Sequence, residues 1–316
     1  MNKTFNILVT GCGGDIGQSI GKILLKSKYT KNLFGIDISN KNAAQFIYPN
    51  FSIGVPFTHP DYLQRLEIFI DKYDIDLIIP IAEPELRFFS EQNILKIIGK
   101  AKMITASALA LEIGFDKFKT AEFLKRENLP FPETFLAKSL KRIDNFPVIL
   151  KSNTGSGSKD IHKINSIEEF LFHTKNTIDD YVVQEFISDE KGEFTCGVFR
   201  SSSKEIRTQI FKRELTSGYS GYGEVIENIN ISNLLEKIAV KLDLVGSINV
   251  QLRIKENQPK VFEINPRFSS TVLFRHLLGF EDLIWSIEDL MGYTLSDNRS
   301  NVVGRKFYKG FEEYIK

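Results

Sequence analysis

Two cysteines, four histidines, three methionines and one tryptophan in 316 residues leave little material for several kinds of chemistry. Cys12 and Cys196 stand far apart, so the chain has neither a disulfide framework nor a C-x-x-C redox pair, and reduced thiols in a reducing compartment are expected. The scattered histidines offer no zinc spacing. Lysine plus arginine (41) balance aspartate plus glutamate (40). No global field therefore draws the chain to nucleic acid or to an anionic membrane, and any anion site must be built locally. No apolar run approaches the roughly 20 residues of a membrane span, and the N-terminus runs into a strand without a signal pattern. A cytoplasmic protein with no nucleic-acid or membrane partner is expected. A Walker A loop, GxxxxGK[ST], is missing, and none of the ten tyrosines is followed four positions later by a lysine. That second absence argues against short-chain dehydrogenase chemistry.

What is present is ordinary globular composition, 42% hydrophobic and 26% charged, in a chain long enough for two or three domains. Its 26 phenylalanines indicate large cores and leave a homo-oligomer open. The most informative stretch is Ser247-Ile-Asn-Val-Gln-Leu-Arg-Ile254 followed by Val261-Phe-Glu-Ile-Asn-Pro-Arg267. Both segments read as strands, with Lys255 to Lys260 as the turn. Pairing about Asn257 sets Gln251 opposite Glu263 and Asn249 opposite Asn265, all on one face, with Ile248, Val250, Leu252, Phe262 and Ile264 on the other. Polar groups buried unpaired cost about 1–3 kcal/mol each. Their oxygens instead suit a nucleotide-borne magnesium ion, and an ordinary solvated polar face is the plain alternative.

The first third reads as a strand, Phe5 to Thr10, the turn Gly11-Cys-Gly-Gly-Asp-Ile-Gly17, a helix from Gln18 to Lys26, and a strand from Asn32 to Asp37. Glycines at 11, 14 and 17 with an acid at 37 outline a dinucleotide site, or a tight strand-to-helix turn that binds no cofactor. Leu77 to Ile81 is a further buried strand. Glu83 and Glu85 follow at its C-terminal end, where open α/β sheets place ligand contacts, and the acid-rich first turn of a helix would also account for them.

In the middle, Asp116 to Lys125 reads as a helix and Thr134 to Ala137 as a strand. Phe146 to Lys151 is an apolar strand ending on a lysine, and Ser152-Asn-Thr-Gly-Ser-Gly-Ser-Lys159 is an amide-rich loop able to wrap phosphates. Tyr181 to Ile187 and Phe194 to Arg200 read as strands.

Taken in order, these segments resemble the ATP-grasp superfamily, specifically one synthetase unit of the carbamoyl phosphate synthase large subunit. The resemblance implies an α/β and α+β architecture in which a Rossmann-like parallel-sheet domain (1–112) precedes a small lobe (113–187) and a large lobe (188–316) that clamp ATP. It further implies Gln251, Glu263 and Asn265 as ligands for Mg2+, or Mn2+, and Lys117 and Lys151 on the ATP phosphates. Gly155, Ser156, Gly157 and Ser158 would form a lid. Gln184, Glu185, Phe186 and Ile187 would form an adenine-reading hinge, with Glu185 and Glu193 near adenine and ribose.

Arg267 is expected to hold an acyl phosphate, aided by Lys151 and by an anion clamp at Lys212 and Arg213 ahead of the glycine-rich Ser217 to Gly223. Glu83, Glu85 and Arg275 would face substrate. The expected activity is ATP-dependent carboxylate–amine ligation through an acyl phosphate, acting on small-molecule carboxylates and amines. Where the carbamoyl phosphate synthase pattern has a second arginine after Asn-Pro-Arg, this chain has Ser270. A partial carbamoyl phosphate synthase subunit, a non-catalytic nucleotide-binding protein and an NAD-linked oxidoreductase are the competing readings.

Overall fold

The computed structural model describes residues 3–140, 142–155, 161–175, 178–216, 218–300 and 302–315. Its first sheet comprises β1 (Phe5–Thr10), β2 (Thr30–Asp37), β3 (Asn50–Ile53), β4 (Leu77–Pro80), β5 (Ile97–Ile98) and β6 (Ala101–Met103), in the order β3-β2-β1-β4-β6-β5. All pairings are parallel except that of β5 with β6. Every residue of β1 is buried, as a central parallel strand covered on both faces requires. The covering helices are α1 (Asp15–Leu24), α2 (Ala44–Ile47), α3 (Tyr62–Lys72) and α4 (Glu83–Glu91). Gly11 has φ +64°, and a Cβ on Gly17 would lie 2.5 Å from the Cys12 Cα, so the β1–α1 turn closes only with glycine there.

The second sheet is small: β7 (Thr134–Leu136), β8 (Val148–Ser152), β9 (Ile161–Ile164) and β10 (Tyr181–Glu185), ordered β7-β10-β8-β9. With α7 (Ile167–Thr174) it has a core of its own, including Val148, Leu150, Ile164, Phe170 and Val183.

The third sheet is antiparallel: β11 (Glu193–Arg200), β12 (Ile206–Thr216), β13 (Tyr219–Ile226), β14 (Gly246–Lys255), β15 (Gln258–Asn265) and β16 (Lys306–Tyr308), ordered β15-β14-β11-β12-β13-β16. Three helices, α5 (Ala108–Gly114), α6 (Lys117–Arg126) and α8 (Ile229–Lys241), share one core with this sheet. The third sheet's packing thus begins ahead of residue 113, where the sequence reading drew a boundary. The last two helices, α9 (Val272–Leu277) and α10 (Asp282–Leu290), pack back on the first sheet, joining Val272, Leu283 and Ile287 to Ile7 and Ile79. The first and third sheets therefore form one packed body, and the small sheet leans over it.

The glycine-rich Tyr219 to Gly223 lies inside β13, which pairs with β12 as a hairpin with a register shift at Glu214–Leu215, and Ser217 lies outside the described residues. Among the described residues no helix is long and apolar enough to cross a membrane. Gly17→Ala forces its methyl into the Cys12 backbone and should cost about 1–3 kcal/mol, the usual penalty of overpacking. A lowered urea midpoint at unchanged m-value is the expected reading.

Candidate functional site

The β14–β15 hairpin turns on Glu256 and Asn257, both at positive φ (50° and 64°), a two-residue connection shorter than the six-residue turn the sequence suggested. Near the turn Lys255 faces Gln258 and Leu252 faces Val261; beyond it Gln251 faces Glu263 and Asn249 faces Asn265. The expected polar pairs therefore form, but through a bulge that leaves Phe262 without a partner. Phe262 was placed on the apolar face; it lines the cleft instead, while Val261 enters the core.

That cleft, about 800 Å3, lies between the three sheets. The glycine turn and the N-terminus of α4 form one wall, β8, β10 and the start of α6 another, and the polar face of β11, β14 and β15 the floor.

At its centre Lys151 is buried. Its Nζ donates to Gln184 Oε1 at 2.9 Å and to the Phe262 carbonyl at 3.3 Å, and lies 5.4 Å from the Phe262 ring centroid. Burial pulls its pKa down to about 8, against the opposing pull of Glu263. Lys117 donates to the Gly155 carbonyl at 2.6 Å, so it holds the stem of the glycine loop. Asn153 ties that stem to α6, accepting from Phe118 N and donating to Asp116, the cap of α6. Ser156, Gly157 and Ser158 lie outside the described residues.

Gln251, Glu263 and Asn265 line the cleft floor together. Among the described residues their side chains make no hydrogen bond or ion pair, leaving one carboxylate and two amides uncommitted. Hard oxygens of this kind fit magnesium, with positions left for phosphates and waters. Asn249 differs. Its Oδ1 accepts from Thr195 Oγ1 (3.0 Å) and Arg275 Nη1 (3.2 Å), so its oxygen is unavailable to a metal.

Burial corrects the expectations for Glu85 and Arg275, while Arg213 and Glu185 line the cleft with their charges already paired. Glu85 is not substrate-facing: it accepts from Thr10 Oγ1 at 2.7 Å and from the Tyr62 hydroxyl, and lies beneath the cleft wall. Arg275 is fully buried, ion-paired to Asp282 at 2.8 Å. Arg213 is no free anion clamp, since both it and Arg253 grip Glu193, each with a 2.7 Å contact. Glu185 is drawn to Lys255 (2.6 Å) and Lys260 (3.3 Å), which fastens the end of β10 to the hairpin.

Phe186 lies under Lys163, 4.3 Å from its ring, while Ile187 lines the cleft and its carbonyl accepts from Arg253. Lys212 pairs with Phe194 in the β11–β12 ladder, and its side chain packs against Gly192. Arg267 and Glu83 both line the cleft, within electrostatic reach of each other. Asp37 accepts from Gly13 N (2.7 Å) and Ser39 N (3.1 Å), so the acid expected on a ribose is spent on its own turn.

Sequence reasoning missed Arg253, although the period of two that selected Asn249 and Gln251 reaches it next. It also missed the side chain of Gln184, whose Oε1 holds Lys151 while its Nε2 donates to Thr134 Oγ1.

Residues 115–271 match the family model described as the ATP-grasp domain. The chain carries an ATP-grasp domain. The match contains Lys117, Lys151, residues 184–187 and the whole β14–β15 hairpin. The chain is 26% identical to the carbamoyl phosphate synthase large chain of Caldanaerobacter subterraneus over 193 residues, 55% of this chain and 18% of that longer protein. It is also 26% identical to the coenzyme gamma-F420-2:alpha-L-glutamate ligase of Methanococcus maripaludis over 273 residues, 79% of this chain and 82% of the ligase. The N5-carboxyaminoimidazole synthetase of Staphylococcus aureus, solved with ADP, superposes with a TM-score of 0.73 at 18% identity, covering 94% of this chain and 80% of that one. Biotin carboxylase from Campylobacter jejuni gives 0.73 at 14% identity, covering 96% and 74%. The likeness in fold extends over nearly all of the chain, beyond the matched domain.

A buried lysine with its pKa lowered from 10.5 to about 8 binds fewer protons folded than unfolded between those values. The resulting destabilisation is full below pH 8 and is relieved as pH rises toward 10.5. Denaturant melts across that window should show a stability gain in the wild type that Lys151→Met lacks.

Proposed function

We propose that this protein is an ATP-dependent carboxylate–amine ligase working in the cleft between the small sheet and the hairpin. The observation that carries this reading is the uncommitted trio Gln251, Glu263 and Asn265, set on one floor with the buried Lys151. Lys117 and Lys151 meet the ATP phosphates, and the segment from Gln184 to Ile187 receives the base. The trio holds Mg2+, which supplies charge neutralisation of the triphosphate when bound. Phosphoryl transfer depends mainly on positioning and charge stabilisation, so no protein nucleophile is needed.

Arg267 faces the substrate end of the cleft, and its planar fork suits a carboxylate or an acyl phosphate. A substrate carboxylate attacks the γ-phosphorus to give an acyl phosphate and ADP; an amine then displaces phosphate and forms an amide. The ligase relative, named for adding glutamate and matched over most of its length, supports simple ligation. The carbamoyl phosphate synthase match spans less than a fifth of that protein and supports a single phosphorylating unit.

The test is ADP release in Mg2+ and ATP with pooled amino acids and small carboxylic acids, hydroxylamine being added to trap the acyl phosphate. A carboxylate-dependent hydroxamate is expected. ATP binding without ADP release or hydroxamate would favour a nucleotide-binding protein instead. Arg267→Ala should slow hydroxamate formation about 100-fold, the scale of a lost oxyanion donor, with ATP affinity little changed. Equal loss of both contradicts its assigned role.

A further inference from the structure

A second cavity, about 310 Å3, adjoins the main cleft between α4 and the loop that follows β8; Glu83, Pro84 and Gly155 line both. Its outer part presents the rings of Phe57 and Phe88, 5.9 Å apart, together with Glu91 and Arg87. Aromatic faces and two carboxylates against one guanidinium favour a cationic visitor. The guanidinium is already occupied, since Arg87 Nη2 donates to the Phe115 carbonyl at 2.8 Å.

Glu83 stands at the junction of the two spaces, and elimination singles it out. Among the described residues the main cleft is lined by five carboxylates and by no histidine. Asp15 is paired with Lys309, Glu185 with Lys255 and Lys260, and Glu193 with Arg213 and Arg253. Glu263 belongs to the trio assigned to the metal. Among the described residues Glu83 keeps one long contact, 3.4 Å to Arg87. Burial raises its proton affinity, with Glu263 adding to that and Arg267, Lys117 and Arg87 opposing it.

We propose that the side cavity admits and binds the amine substrate, a primary amine or ammonium, and that Glu83 takes the proton this amine must lose before attack. The proposal rests on the ligase reading. The ammonium gives one proton to the Glu83 carboxylate, and its freed lone pair forms the bond to the acyl carbon. The carbon–oxygen bond to phosphate then breaks, and phosphate departs with the electron pair and the second proton from nitrogen.

Hydroxylamine separates the two roles, because it is a far weaker base than an alkyl amine and is unprotonated at neutral pH. It needs no base to trap an acyl phosphate. The experiment compares wild type, Glu83→Gln and Glu91→Lys with the carboxylate pool, using hydroxylamine in one arm and ammonium chloride with pooled amino acids as probe amines in the other. Glu83→Gln should form hydroxamate normally yet lose about 100-fold in amine-stimulated ADP release, the scale of a lost general base. Glu91→Lys, an exposed change outside the main cleft, should raise the amine concentration needed for half-maximal rate and leave both hydroxamate and the saturated rate unchanged.

Parallel loss of both arms in Glu83→Gln, or loss of neither, overturns its role. An unaltered amine requirement in Glu91→Lys overturns the side cavity. Wild-type hydroxamate with no stimulation by any probe amine also removes the amine site. Absence of wild-type hydroxamate strikes the ligase reading itself and this role with it.

Discussion

The site is organised around one ammonium group kept out of water. Lys151 sits between the small sheet and the hairpin, held by Gln184 from its own sheet and by the Phe262 carbonyl from the other. Both holders are neutral, so the charge is buried without an ion pair among the described residues, and burial pulls its pKa down to about 8. Glu263 pulls the other way, but among the described residues it stands on the cleft floor without a bonded partner of its own. A polyanion with its own divalent ion would satisfy both charges at once, which is why the pair reads as one half of a phosphate site.

The bulge at Phe262 serves the same end. It brings an aromatic face and a carbonyl to Lys151 while keeping Gln251 opposite Glu263. Around this centre other charges are locked so that they do not compete. Arg213 and Arg253 grip Glu193, and Lys255 and Lys260 hold Glu185. The network of Arg275 with Asp282, Ser269 and Asn249 lies beneath the floor. An arginine only donates, so Asn249 must turn its oxygen inward, and the free amides of the floor are those of Gln251 and Asn265.

Much of this was legible in the sequence where local rules suffice. The period of two paired the hairpin's polar residues, the glycine spacing marked the β1–α1 turn, and Asp116 stood at the start of its helix. What was hidden depended on partners distant in the chain. Glu85 looked like a strand-end ligand because nothing local shows Tyr62 and Thr10 closing over it. Arg275 looked cleft-facing because its partner Asp282 comes from the next helix and Asn249 from a strand well before it. The bulge was invisible because symmetric counting about Asn257 happens to give the correct pairs beyond it and the wrong ones nearer the turn.

The central claim is that this cleft binds ATP with magnesium through Lys151 and the trio Gln251, Glu263 and Asn265. Calorimetric titration of the wild type with ATP, with and without Mg2+, and with NAD as the comparison, tests it most directly. One ATP per chain is expected, bound far more tightly with Mg2+ than without, and no heat from NAD. Failure of ATP to bind, or tight binding of NAD in its place, would contradict it.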